Sequence, residues 1–168
     1  MPKVICWILW PLTAQNKSQM SETTILNGKV LKRSLPVVEP QNAAGSPTLK
    51  RLLLPQGELA QFFDGDEPIR YLAYIELRSG SARGNHFHKV KAEWIYLLSG
   101  EATLLLEDTE TKEQAKLPLK VGELAFVQTG IAHAIQVLQS GQAIEFSSAR
   151  FDAQDIYKYP ITLRSAVK

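Results

Sequence analysis

An antiparallel all-β sandwich or barrel is the fold class the sequence predicts, on three observations. About nine short stretches read as strands, spaced roughly 8–12 residues apart. No long helical period lies between them. Glycine- and proline-bearing turns punctuate them, with Gly122, Gly130 and Gly141 separating the last four.

The elements follow in chain order. Residues 34–48, with three prolines, a glycine and an asparagine, predict a loop or extended arm. Residues 49–54 read as a strand closed by Pro55-Gln56-Gly57, and residues 58–63 as a single helical turn. Residues 70–78 alternate as a strand, with Tyr71, Ala73, Ile75 and Leu77 on one face and Leu72, Tyr74 and Glu76 on the other. Residues 80–84 form a turn and 85–89 a short extended piece. Residues 94–98 are nearly all apolar and end at Ser99-Gly100, which predicts a strand buried on both faces, with 102–107 as its hairpin partner. After a polar turn at 108–112, strands fit residues 114–119, 124–128, 134–138 and 143–149. Phe151, Tyr157 and Tyr159 predict a packed tail or one short helix over the barrel.

Composition narrows the classes. The 168 residues suit one domain with a real core, at 45% hydrophobic and 21% charged. No apolar run approaches the roughly 18 residues of a membrane span, so no membrane partner is expected. The single cysteine, Cys6, rules out an intramolecular disulfide. Net charge is +2, from 19 basic and 17 acidic residues, and Lys3 and Lys17 in the first 20 residues account for the excess. The rest is balanced and has no basic stripe for nucleic acid. Residues 4–10 form an apolar run at the short end for a signal peptide, without a good cleavage site. The expectation is a cytoplasmic protein in which residues 1–20 are a disordered extension or a misplaced start, 21–48 an N-terminal arm and 49–168 a single domain.

All three histidines fall in one pattern. His86 and His88 stand at i and i+2, which on an extended segment points both rings to one side. Glu93 follows, and His133 begins another strand. A barrel can bring all four to one interior spot, because neighbouring strands lie only about 4.8 Å apart. Imidazole suits zinc, iron and nickel, and a carboxylate extends the set to manganese.

The full spacing is Gly80-x5-His86-x-His88-x4-Glu93-x6-Gly100, then 21 residues, then Gly122-x5-Gln128-x-Gly130-x2-His133. It resembles the two motifs of the cupin superfamily over about residues 70–150. The departures are Gln128, where the family usually has Pro, and Val137, where Asn is common. The resemblance implies a double-stranded β-helix, or jelly roll, mostly antiparallel. It implies one divalent metal ion (Zn, Fe, Mn or Ni) held by His86, His88, Glu93 and His133. It also implies a homodimer, formed by strands from residues 22–54 added to a neighbour's sheet.

Arg83-Gly-Asn-His86-Phe-His88 and the tail from Phe151-Asp152 to Asp155-Ile-Tyr157 are similar to segments of cupins acting on nucleotide-activated deoxysugars, the 3,4-ketoisomerases and 3,5-epimerases. That implies a sugar isomerase or epimerase of polysaccharide biosynthesis, working on a nucleotide-linked keto-sugar by enolisation. Arg83 would contact the diphosphate. With a metal bound, the ligand histidines have no free lone pair, so Tyr74 and Tyr96 become the catalytic candidates if they face inward. Without one, His86 and His88 are the base candidates. Lys89 and Lys91 read as solvated. A metal-dependent dioxygenase and a non-enzymatic sugar- or ligand-binding module are the alternatives.

Overall fold

The structure is a computed structural model and describes residues 20–42 and 44–163; the expectation for the first 19 residues lies outside them. Twelve strands run in the order β1 (Ser21–Ile25), β2 (Val30–Ser34), β3 (Val37–Val38), β4 (Lys50–Leu54), β5 (Gly57–Gln61), β6 (Tyr71–Leu77), β7 (Ala82–Phe87), β8 (Glu93–Asp108), β9 (Gln114–Leu119), β10 (Glu123–Val127), β11 (Ile131–Ser147) and β12 (Tyr157–Lys158). Two short 3-10 turns, Pro40–Asn42 and Ala153–Asp155, are the helical elements among the described residues.

Two long antiparallel strands, β8 and β11, build the barrel by running through both of its walls. In one wall the first half of β8 lies between β10 and the second half of β11, whose other neighbour is β6; β2 and β1 extend this wall beyond β10. In the other wall the second half of β8 pairs with β9, while the first half of β11 pairs with β7, which pairs in turn with β12. The turn expected at Ser99-Gly100 is therefore a corner inside one strand, and residues 94–98 and 102–107 are not hairpin partners. Gly100 (φ +87°) packs against Gly141 where β11 bends beside it, and the register between the two strands shifts there. A bend this tight puts backbone on backbone, which leaves no room for a Cβ on either strand.

The core fills the space between the walls. Leu97, Leu104, Leu106, Leu119 and Ile131 are fully buried in it. Val30 and Leu26 join the same cluster, so residues 21–34, expected as an arm, are an edge hairpin of the barrel itself. Residues 58–63 are not a helical turn, since residues 58–61 belong to strand β5. Across the β4–β5 hairpin Arg51 grips Glu58 with two parallel bonds of 2.7 and 2.8 Å, which a helical turn could not reach. This hairpin and β3 form a small separate sheet. With the Phe62 and Phe63 that follow, it covers the outer face of the first wall.

Asp108 ties two turns together. Its buried carboxylate accepts Lys29 Nζ at 2.8 Å from the β1–β2 turn and the backbone N–H groups of Glu110 and Thr111 in its own turn. Burial would raise its pKa, but these bonds hold it below the usual range. Asp108→Ala is expected to cost about 2 kcal/mol, since Lys29 can turn to water while the two turn N–H groups lose their acceptor. Because the folded pKa is depressed, this contribution is full above the ordinary aspartate pKa and is lost as pH falls through the folded value. Thermal melts of both proteins should therefore converge in acid.

Candidate metal centre and its cavity

The two-histidine strand is shaped by a bulge. His133 pairs with His86 and Ala134 with Gly84, which leaves Asn85 as the extra residue. Gly84 and Asn85 both have positive φ, at 95° and 55°. A Cβ on Gly84 would sit 2.7 Å from the His133 carbonyl oxygen, so glycine is required there. Such a bulge bends the strand and re-aims the next side chain, here His86.

His86, His88, Glu93 and His133 converge, with one ligand atom from each lying within 4.8 Å of all the others. His88, Glu93 and His133 are buried, and His86 is half-buried. His88 Nδ1 donates to the Asp155 carbonyl at 2.6 Å, and His133 Nδ1 to the Ile131 carbonyl at 3.1 Å. A carbonyl only accepts, so each ring carries its proton on Nδ1 and presents a bare Nε2 inward. Those Nε2 atoms stand 3.1 and 2.9 Å from the Glu93 carboxylate oxygens. Lone pairs thus face lone pairs, and His88 Nε2 and Glu93 Oε2 are buried without a hydrogen-bond partner. A cation bound by all four residues, or a second proton on a ring, would satisfy these atoms.

The electrostatics agree. Burial, with His133 and His88 nearby, pushes the pKa of His86 down to about 4, so at neutral pH it is the neutral ring a metal needs. Burial opposes charge on Glu93, but the neighbouring His133, His88 and Lys91 outweigh it and hold the carboxyl far below its usual range. Burial likewise opposes charge on His133, and Glu93 outweighs it and raises that pKa. Three imidazoles and one carboxylate fit zinc, iron, manganese or nickel with positions left open.

Other residues fall differently from expectation. Tyr74 points to solvent and is 60% exposed. Tyr96 is buried but on the outer face of β8, stacked on Phe62 at 4.4 Å, with its pKa pushed up to about 12 by burial. Neither tyrosine reaches the cluster. Lys91 is not solvated: it is 6% exposed, with Nζ 2.5 Å from Glu93, 3.1 Å from Glu145 and 4.3 Å from the Tyr71 ring centre. Glu145, Lys91 and Tyr71 are the site residues that sequence reasoning missed. The alternation in β6 already put Tyr71 on the face opposite Tyr74, and was the signal to follow.

Beside the cluster lies a cavity of about 80 Å³. Ile75, Ile95 and Ile135 form its apolar wall, His86, His133 and Glu145 its polar one, and the exposed Arg83 lines it as well. A water occupies about 30 Å³ in the liquid, so this space takes only a few non-hydrogen atoms of a ligand. Burial, then the charge of Glu93, raises the pKa of Glu145 against the pull of Lys91.

The family described as polysaccharide biosynthesis C-terminal domain matches residues 57–158, more than half of the chain. No curated protein matches the sequence. Among solved structures, a TDP-quinovose 3,4-ketoisomerase from Campylobacter jejuni is similar at 17% identity and a TM-score of 0.58, over 66% of this chain and 88% of its own. A dTDP-6-deoxy-D-glucose-3,5-epimerase from Legionella pneumophila, in complex with dTDP-4-keto-L-rhamnose, has 11% identity and a TM-score of 0.63, over 83% and 77%. A dTDP-4-dehydrorhamnose 3,5-epimerase from Bacillus anthracis, with TDP and pyrophosphate bound, has 12% identity and a TM-score of 0.63, over 82% of each chain. At these identities the likeness is one of fold. Among the described residues no helix is long and apolar enough to cross a membrane.

Proposed function

The chain belongs to the polysaccharide biosynthesis C-terminal domain family and has the RmlC-like cupin fold, and from that premise we propose that it is a metal-holding isomerase of a nucleotide-activated 4-keto-sugar. One observation carries the reading: the cavity beside the cluster holds a carboxylate, Glu145, that is not among the four converging donors. The solved relatives named for ketoisomerase and epimerase activity on TDP-sugars support the substrate class.

His86, His88, Glu93 and His133 would hold the ion, which supplies a Lewis acid for a carbonyl oxygen. Glu145 takes the proton from the hydroxyl-bearing carbon beside that carbonyl, the proton of that hydroxyl passes to the former carbonyl oxygen, and Glu145 returns its proton to the former carbonyl carbon. A single carboxylate on one face suits this shift of a carbonyl between adjacent carbons, whereas epimerisation needs a donor on the opposite face. Lys91 holds Glu145 and Glu93 apart by bonding an oxygen of each. The three isoleucines form the apolar side of the reacting edge, and Arg83 offers a planar fork to the diphosphate.

The assay is solvent deuterium incorporation into dTDP-4-keto-6-deoxyglucose, followed by NMR. Glu145→Gln should slow exchange at least about 100-fold while the protein keeps one metal per chain. Arg83→Lys should raise KM far more than it lowers kcat, because it removes binding common to ground and transition states. The same donor set suits iron, and the small cavity admits dioxygen. If metal-loaded protein exchanges no proton in any 4-keto nucleotide-sugar and consumes oxygen with another compound, an oxygenase replaces this reading. Binding without turnover would make it a sugar-binding module.

A further inference from the structure

The tail that follows the barrel ends in a turn with an unusual set of contacts. Asp152 caps the 3-10 turn Ala153–Asp155, accepting from the Gln154 N–H at 2.8 Å. The turn delivers Asp155, 6% exposed, to the loop between His88 and Glu93. Its Oδ1 accepts the Lys89 N–H at 2.8 Å, its Oδ2 the Lys91 N–H at 2.9 Å, and the Val90 N–H lies 3.2 Å from both. Three consecutive peptide N–H groups thus close around one carboxylate, as in a backbone nest. The main-chain carbonyl of the same residue is the acceptor for His88 Nδ1–H. Beyond it, β12 pairs with β7, setting Tyr157 opposite Phe87 and Lys158 opposite His86.

We propose that Asp155 is a positioning residue of the metal centre. Its carboxylate fixes the path of the loop from His88 to Glu93, and its carbonyl fixes the tautomer and tilt of the His88 ring. Both halves of the residue act on the donor set while neither is part of it. The same clamp sets the backbone of Lys91, and so where that ammonium enters between Glu93 and Glu145. The proposal rests on the metal-holding reading above, and its ligand is a divalent cation.

The test is zinc affinity, measured by competition with a chromophoric chelator, on the full chain and on Asp155→Ala. Outer partners of ligating histidines are worth about 10–100-fold in metal affinity, and a loss in that range is expected. A second readout is the slowly exchanging imidazole Nδ1–H proton of His88 in the NMR spectrum. Its acceptor is a main-chain carbonyl that alanine keeps, so in the variant the proton should shift and exchange faster because the turn that places the carbonyl is released, a local change that general destabilisation of a protein still folded would not single out. Asp155→Asn keeps one acceptor oxygen and should show a smaller effect on both readouts; it decides the matter if the alanine variant does not fold. Unchanged zinc affinity and an unchanged His88 proton in the folded variants would overturn the proposal while leaving the metal-holding reading intact. Failure of the parent protein to take up zinc, iron, manganese or nickel would overturn both.

Discussion

Exchange of His133 for alanine is expected to strip the metal from the protein and leave the barrel standing. His133 is 4% exposed, and its Nε2 lies 2.9 Å from Glu93. Removing it takes one of four converging donors and opens the cavity floor, with no other imidazole on hand, since the chain's other two histidines are already in the cluster. Loss of an outer partner of a ligand alone costs about 10–100-fold in metal affinity, so loss of a ligand should exceed about 100-fold. The barrel survives because Glu93 keeps Lys91 at 2.5 Å and is not left as an unpaired buried charge. Elemental analysis after dialysis and far-ultraviolet circular dichroism measure the two halves. A variant that retains one tightly bound ion per chain would remove His133 from the donor set.

Gly141→Ala is expected to prevent folding. A Cβ there would lie 1.9 Å from the Ser99 carbonyl oxygen and 2.7 Å from Gly100 Cα. Both contacts are with backbone, so no side chain can rotate away. Relief would require β8 and β11 to separate at the one place where both strands turn from wall to wall. Effects above about 4–5 kcal/mol are exceptional for single substitutions, and this one belongs among them, against a total stability of about 5–15 kcal/mol. Gly80→Ala is the control. Gly80, unlike Gly141, has positive φ, at 78°, and a Cβ there would meet nothing within 4 Å, so its cost is confined to about 1–3 kcal/mol of backbone strain. If Gly141→Ala melts within a few degrees of the parent, the corner is not packed as described.

The features legible in the sequence are those a short stretch decides for itself. A pattern of period two put His86 and His88 on one face, and the resemblance to the cupin motifs joined Glu93 and His133 to them, the four that converge in the structure. The same rule put Tyr71 and Tyr74 on opposite faces, and the structure turns the Tyr71 face inward, which leaves Tyr74 in solvent. The rest depends on partners far along the chain. Lys91 reads as solvated until Glu145, 54 positions later, gives it a second carboxylate. Ser99-Gly100 reads as a hairpin turn until Gly141 lies against it. Residues 58–61 read as helical until Glu58 meets Arg51 across the hairpin. The tail was expected to pack on the barrel, but nothing local says that Asp155 should enclose three N–H groups of another loop.

Chain order makes the pairing of the tail with the two-histidine strand a matter of timing. At synthesis rates of about 5–20 residues per second, Asp155 leaves the ribosome several seconds after Glu93. For most of that interval β7 and β8 wait for β11, their common partner, which ends only at Ser147. The fourth of the converging side chains, His133, and the carboxylate that holds the loop thus arrive within the same C-terminal stretch. A chain cut before residue 155 would keep β11 and still lack the carboxylate that closes the loop from His88 to Glu93.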